Sequence, residues 1–581
     1  MEKLKIRGII YLNALINSLF IGSVVNAYFH RANIYRVPIM AVLCIAATWF
    51  TLRFLKDKHF EPKHESFKGT AKKRVTNLLC LIVILIVYLI KLRIRKLLPD
   101  WTNYVLMPAF FCMYTEMLLL KVTCTPSEKK QYRTFFIGQL IVSMLIWGVY
   151  WFFGFTRGEY FVYDTFVPLA CIYVILTAIY SFTIRKKMDG AKNNGLDIFG
   201  AVIAVLFFIA LVVGKSYVRS QTFCLEEAIN SVPKIRETNL PITYRDEDGV
   251  YEIHMTDDDF KVLQLTDVHI GGSIFSRKAD LKAVEAIVKV VSEADPDLVI
   301  VTGDLAYPVG HSSGTYNNKT AILEFAQIMR NMNVPWAFTF GNHDNEPVAV
   351  YTIEEICDMF IDLSWKTSEN LLYPYKQPDI YGRNNQIIEV YNTDGTLNQA
   401  LVLIDSNSYT GEGTISYDYI HDDQVEWYEQ QIKRLNAQEG KTVSSLVFYH
   451  IPEDGYLEAW TKLQAGSDEV KVHFGSMKDY MAKNCLGNPD DPSKLFGKIV
   501  ELGSTKATFV GHDHLNTICM EYKGVRLTFG LPIDYIAYPS ITNIYTMLKP
   551  VVDNMDRGGV LITSTPDSEV DIKQVNLKDL K

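Results

Sequence analysis

The chain has 581 residues, 49% of them apolar, and a formal net charge of −7. That length exceeds one ordinary domain, and the charge is unevenly divided: residues 1–222 hold 28 Lys and Arg against 11 Asp and Glu, the remainder 30 against 54. The acidic remainder argues against a nucleic-acid binder, which needs a basic face. Its four cysteines, Cys224, Cys357, Cys485 and Cys519, lack the spacing of a structural zinc site; one pair could bridge if this half is exported.

The basic half contains about seven apolar stretches of spanning length, near 8–27, 37–55, 75–92, 101–120, 134–155, 162–183 and 196–214. They predict an all-α multi-span membrane domain over 1–222. The first stretch follows Lys3, Lys5 and Arg7 but has no small-residue cleavage site after it, so it reads as an anchor rather than a leader. With the N-terminus in the cytoplasm, the inner segments carry about 19 Lys and Arg and the outer ones about nine. That asymmetry puts the C-terminal half on the extracytoplasmic side, with Lys91, Arg93, Arg95 and Lys96 as the misfit. Glu116 and Asp164 lie near span ends and read as facing water or a neighbouring helix.

Residues 223–250 are mixed and carry Pro233 and Pro241, a linker with first edge elements before a catalytic domain over 251–581. Residues 250–255 alternate like a strand. His254 sits there and reads as structural. Five β-type apolar runs follow, at 261–266, 297–302, 334–340, 445–449 and 505–510. Each is followed at once by chemistry-bearing residues: Asp267 and His269; Gly303-Asp304; Gly341-Asn342-His343-Asp344; His450; Gly511-His512-Asp513-His514. Five of the chain's 12 histidines stand at these strand ends. Open α/β sheets place their sites there. Helical spacing over 279–293 and 321–332 joins the first three runs as βαβ units, and 427–435 precedes the fourth. Residues 346–400 and 454–494 read as long excursions, the first carrying Arg383, which is either a phosphate contact or a solvated loop residue. The tail, 559–563 and 570–573, reads as a closing hairpin.

Carboxylate, imidazole and amide oxygen suit first-row metal ions. The five motifs, in this order, resemble the calcineurin-like metallophosphoesterase superfamily over roughly residues 250 to 580. Gly303-Asp304-Leu-Ala-Tyr307 and Gly341-Asn-His-Asp-Asn345-Glu346 look most like its small purple-acid-phosphatase-like subgroup. The resemblance implies a four-layer α/β/β/α sandwich. It implies two divalent or trivalent ions (Mn, Fe, Zn or a mixture), one on Asp267, His269, Asp304 and His514, the other on Asp304, Asn342, His450 and His512. Asp304 would bridge them. The ions would clamp a phosphate mono- or diester and activate the attacking hydroxide. His343 would protonate the leaving group, and Asp344 would orient His343 or a ligand imidazole. True purple enzymes have Gly where this chain has His269, so Tyr307 need not be a ligand.

The expected whole is a membrane-anchored, metal-dependent phosphohydrolase meeting phosphate esters, lipid-linked ones among them, at the membrane lipid. A transporter or sensor with an accessory phosphatase domain is the alternative.

Overall fold

The computed structural model describes residues 225–580 apart from 311, 347–348, 410–416, 478–492 and 543–548, together with scattered positions between 12 and 50. The spans expected over 1–222 therefore lie outside the described residues save for those positions. Among the described residues no helix is long and apolar enough to cross a membrane.

The strands, in chain order, are β1 Ile242–Arg245, β2 Val250–His254, β3 Phe260–Leu265, β4 Leu298–Thr302, β5 Trp336–Thr339, β6 Gln386–Tyr391, β7 Leu397–Leu403, β8 Ser445–Phe448, β9 Val470–Phe474, β10 Thr505–Val510, β11 Cys519–Tyr522, β12 Val525–Phe529, β13 Gly558–Ser564 and β14 Val570–Asn576. They form two sheets, a five-stranded one ordered β14-β13-β3-β4-β5 and a nine-stranded one ordered β1-β2-β6-β7-β8-β10-β12-β11-β9. Among the helices that cover them are α1 Arg277–Ala294, α2 Lys319–Met332, α3 Asp422–Glu439 and α4 Asp454–Gln464. β3, β4 and β5 run parallel, joined through α1 and α2.

Three apolar layers explain the sandwich. Val262, Leu298 and Ile300 of the small sheet meet Leu401, Leu446, Phe448 and Phe509 of the large one in a core between the sheets. Their alternate neighbours Leu263, Leu265, Val299 and Val301 turn outward onto Ile287 of α1 and Phe325 of α2. On the far side Val447, Tyr449 and Val510 pack on Tyr428 of α3 and Tyr456 of α4. The central strands are thus buried on both faces, which is why they read as unbroken apolar runs rather than as alternation. The order helix, sheet, sheet, helix is the expected four-layer arrangement for this half.

Both expected excursions are corrected, and residues 454–494 hold α4 and β9. Residues 346–400 are not a loop throughout. They hold a helix, Ile353–Asp362, whose N-terminus is closed by a reciprocal Thr352–Glu355 capping box. They also hold β6 and the start of its antiparallel partner β7. The sequence masks these strands with buried polar residues. Glu389 is one, paired to Arg245 and Arg434. The Asp394-Gly395 turn between them was the available hairpin signal. β1 and β2 form one edge of the large sheet, as the first edge elements should. His254 stacks on Tyr391 with ring centroids 5.4 Å apart. Cys357 and Cys519 are buried free thiols; Cys224 and Cys485 lie outside the described residues.

Trp336 is fully buried, with Phe325 edge-on at 5.1 Å between ring centroids. Trp336→Ala should cost about 3–5 kcal/mol of stability through lost burial and the cavity left behind. Denaturant unfolding of the two proteins side by side measures it; a cost under ~1 kcal/mol would contradict the packing described.

Candidate metal centre

The motif residues follow directly from the strand ends. After β3 the chain turns through Asp267 and His269, after β4 through Gly303 and Asp304, and after β10 through Gly511 and His512. Asp267, His269, Asp304 and His512 all adopt the left-handed backbone region, with φ of 49°, 52°, 54° and 74°. Non-glycine residues adopt it at a cost of order 1–3 kcal/mol each, and such strain collects at functional sites. Two glycines make the close approach possible. A Cβ on Gly341 would lie 2.2 Å from Asp304 Oδ1, and one on Gly303 would lie 2.6 Å from the His450 ring.

Asp344 ties these turns together. Its carboxylate accepts backbone N–H groups from Asp304 (2.8 Å), Gly341 (2.8 Å) and Ala306 (2.9 Å). The sequence reading gave Asp344 the task of orienting His343 or a ligand imidazole. In the structure the carboxylate braces backbone instead, and the His343 Nδ1 partner is Glu346 at 2.7 Å.

Six of the seven expected ligand residues come together in two buried groups, and the seventh, Asn342, adjoins the second. Asp267, His269 and His514 form one, and Asp304, His450 and His512 the other, each with ligand-type atoms within 4.8 Å of one another. In the first, Nε2 of His269 and Nε2 of His514 face each other at 3.1 Å, and Asp267 Oδ1 is 3.2 Å from the latter. In the second, Asn342 Oδ1 lies 2.9 Å from His512 Nδ1 and 3.3 Å from His450 Nε2. Asp304 Oδ2 reaches both groups, 3.2 Å from His450 Nε2 and 3.7 Å from His269 Nε2. Its other oxygen accepts the His343 backbone N–H at 2.7 Å.

The donor set fits metal ions. His450 Nδ1 is tied to Thr302 O at 2.8 Å and His514 Nδ1 to Asp534 Oδ2 at 2.9 Å. With their Nδ1 positions donating, Nε2 of both rings is turned inward as a lone-pair donor. His512 brings its Nδ1 to the same place, beside Asn342 Oδ1. Carboxylate, amide and imidazole acceptors therefore converge with too few hydrogens to share, and a cation resolves that.

The electrostatics agree. Burial pulls the imidazoles down, yet Asp304 lifts His450 to about 9, and Asp267 with Asp534 lifts His514 to about 10. Burial takes His269 to about 4 and His512 to about 3. Against burial, His450 and His343 hold Asp304 well below the usual carboxylate range. Protons on His450 and His514 thus do a cation's work, and a metal would displace them.

His343 lies beside the ligands, its side chain one quarter exposed. Burial lowers its pKa, but Asp304 and Glu346 outweigh this and leave it raised. Tyr307 sets its ring edge-on to His269 and to His343, 4.9 Å from each between ring centroids. Burial first, then the charges of Asp534 and Glu346, keep that phenol protonated. Beyond the centre opens a cavity of about 590 Å³, lined in part by Gly341, Asn345, Arg383, Asp405 and Tyr409. Arg383 therefore belongs to the cavity wall, not to the ligand group.

Three residues escaped the sequence reading. Asp534 follows β12 after Gly530-Leu-Pro-Ile, and an acidic residue just beyond an apolar strand was its signal. Glu346 stood inside the quoted motif without a role. Tyr409 carried no local signal.

The profile of the calcineurin-like phosphoesterase family matches residues 260–516. "Probable inactive purple acid phosphatase 28" of Arabidopsis thaliana is 24% identical over 359 residues, 58% of this chain and 81% of that protein. "Phosphatase DCR2" of Saccharomyces cerevisiae is 26% identical over 289 residues, 47% of each chain. A solved dimetal phosphatase from Danio rerio, 12% identical, covers 55% of this chain and 96% of its own, with a TM-score of 0.33, too low to weigh. All seven ligand-type residues fall inside the matched segment: residues 260–516 form a calcineurin-like metallophosphoesterase domain with purple-acid-phosphatase-like relatives, and the chain is a hydrolase acting on phosphoric esters.

Proposed function

We propose that this chain is a membrane-tethered phosphohydrolase that cleaves phosphate mono- or diesters at a dinuclear metal centre. The observation that carries the reading is Asp304 Oδ2, within reach of both buried ligand groups. Asp267, His269, Asp304 and His514 would hold one ion, and Asp304, Asn342, His450 and His512 the other. Bound there, two such ions supply Lewis acidity toward the phosphoryl oxygens and toward water.

The chain's own groups do the rest. Asp344 fixes the turns that aim Asp304 and Asn342. Asp534 holds His514 in the tautomer whose Nε2 is a ligand. Glu346 holds Nδ1 of His343, leaving Nε2 to pass a proton to the departing oxygen. The leaving group then has the neighbouring cavity to enter. The tether rests on the seven apolar stretches of residues 1–222, and the extracytoplasmic placement on the excess of basic residues in alternate loops.

Elemental analysis of the purified protein, loaded with Mn²⁺, should find about two ions per chain. Asp304→Asn should lose the most, because one oxygen serves both groups; full retention of both ions in that variant would overturn the bridging assignment.

His343→Ala should keep both ions and lower kcat by about 10²–10⁴ for esters with poor leaving groups, where acid assistance matters. The loss should shrink for nitrophenyl esters. Equal losses for both would remove the acid role.

Protease added to intact cells should cut the C-terminal half while a cytoplasmic marker survives. Protection until the membrane is permeabilised would invert the topology.

A further inference from the structure

The hydrogen bonds beside the metal centre close into a ring through the Asn342–His343 peptide. Asn342 Nδ2 donates to the Tyr409 hydroxyl at 2.8 Å. That hydroxyl donates to Glu346 Oε1 at 3.1 Å. The same oxygen accepts from His343 Nδ1 at 2.7 Å. Glu346 is buried, 3% exposed.

The ring has a direction. The Tyr409 hydroxyl has one hydrogen, and it is given to Glu346 Oε1. The hydroxyl can then meet Asn342 only through its lone pairs, which requires the Nδ2 side of the amide. Asn342 Oδ1 is thereby turned toward His512 and His450. The opposite rotamer would set N–H groups against the imidazole nitrogens and remove an oxygen from the ligand group. Tyr409 is itself held in place. Its ring stacks on Tyr417 at 5.4 Å, and Tyr417 stands edge-on to His512 at 4.5 Å.

We propose that Tyr409 is a positioning residue that selects the amide rotamer of Asn342 and so presents its oxygen to one metal ion. Glu346, which fixes the hydroxyl and holds His343, joins that choice to the orientation of the leaving-group acid. The proposal rests on the dinuclear reading given under Proposed function, and one measurement separates the two.

Full-length protein is titrated with Mn²⁺ by calorimetry, with substrate turnover recorded separately. Wild type should bind two ions. Tyr409→Phe keeps the stacked ring and loses only the hydroxyl. It should weaken one of the two ions by about 10- to 100-fold and leave the other unchanged. In an Asn342→Ala background the same substitution should have no further effect, because the amide it orients is gone. Glu346→Gln retains an acceptor oxygen for Tyr409. It should leave both affinities within about twofold and lower kcat chiefly for poor leaving groups. Unchanged Mn²⁺ binding in Tyr409→Phe, or an equal loss with and without Asn342, would overturn the proposal while leaving the dinuclear centre standing. Failure of wild type to bind two ions would overturn both.

Discussion

Everything around the site depends on where one carboxylate oxygen lies. Asp304 Oδ2 stands between two groups of imidazoles, and its partner oxygen is locked by the His343 backbone. To reach that place the chain leaves β4 through Gly303 and puts Asp304 itself in the left-handed region. The strain is held by Asp344, which ties the backbone of Asp304 to that of Gly341. Both sheets serve the same end. Asp267, Asp304 and Asn342 come from the small sheet and His450 and His512 from the large one, so the site exists only when the core between the sheets is closed.

The acidic and basic groups of the centre balance one another. The buried Asp304 is held in its ionised form by the His450 imidazolium beside it, and that proton would leave if a metal entered. The two groups differ in their outer support. His514 leans on the Asp534 carboxylate, whereas His450 leans on a backbone carbonyl. A charged partner raises the basicity of a ligand imidazole more than a neutral one. The two ligand groups therefore differ in the charge that backs their imidazoles.

Much of this was legible in the sequence because the site is built on strand ends. An apolar run buried on both faces is readable, and so is the Asp or His that follows it, which is how Asp267, Asp304, His450 and His512 were found. What lay outside that pattern was harder. β6 was hidden by Glu389, whose burial makes sense only beside Arg245 and Arg434, residues far away in the chain. Asp344 was expected to orient His343 or a ligand imidazole, but the sharp turn points it at backbone. Tyr409 lies 67 positions from the amide it contacts, and only the fold brings the two together. The seven apolar stretches of residues 1–222 rest on sequence alone.

The central claim is that two ions share Asp304, and anomalous scattering from crystals of the Mn²⁺-loaded protein tests it most directly. Two peaks roughly 3.5–4 Å apart, one on each side of Asp304 Oδ2, are the predicted result. A single peak, or two peaks without Asp304 between them, would contradict it.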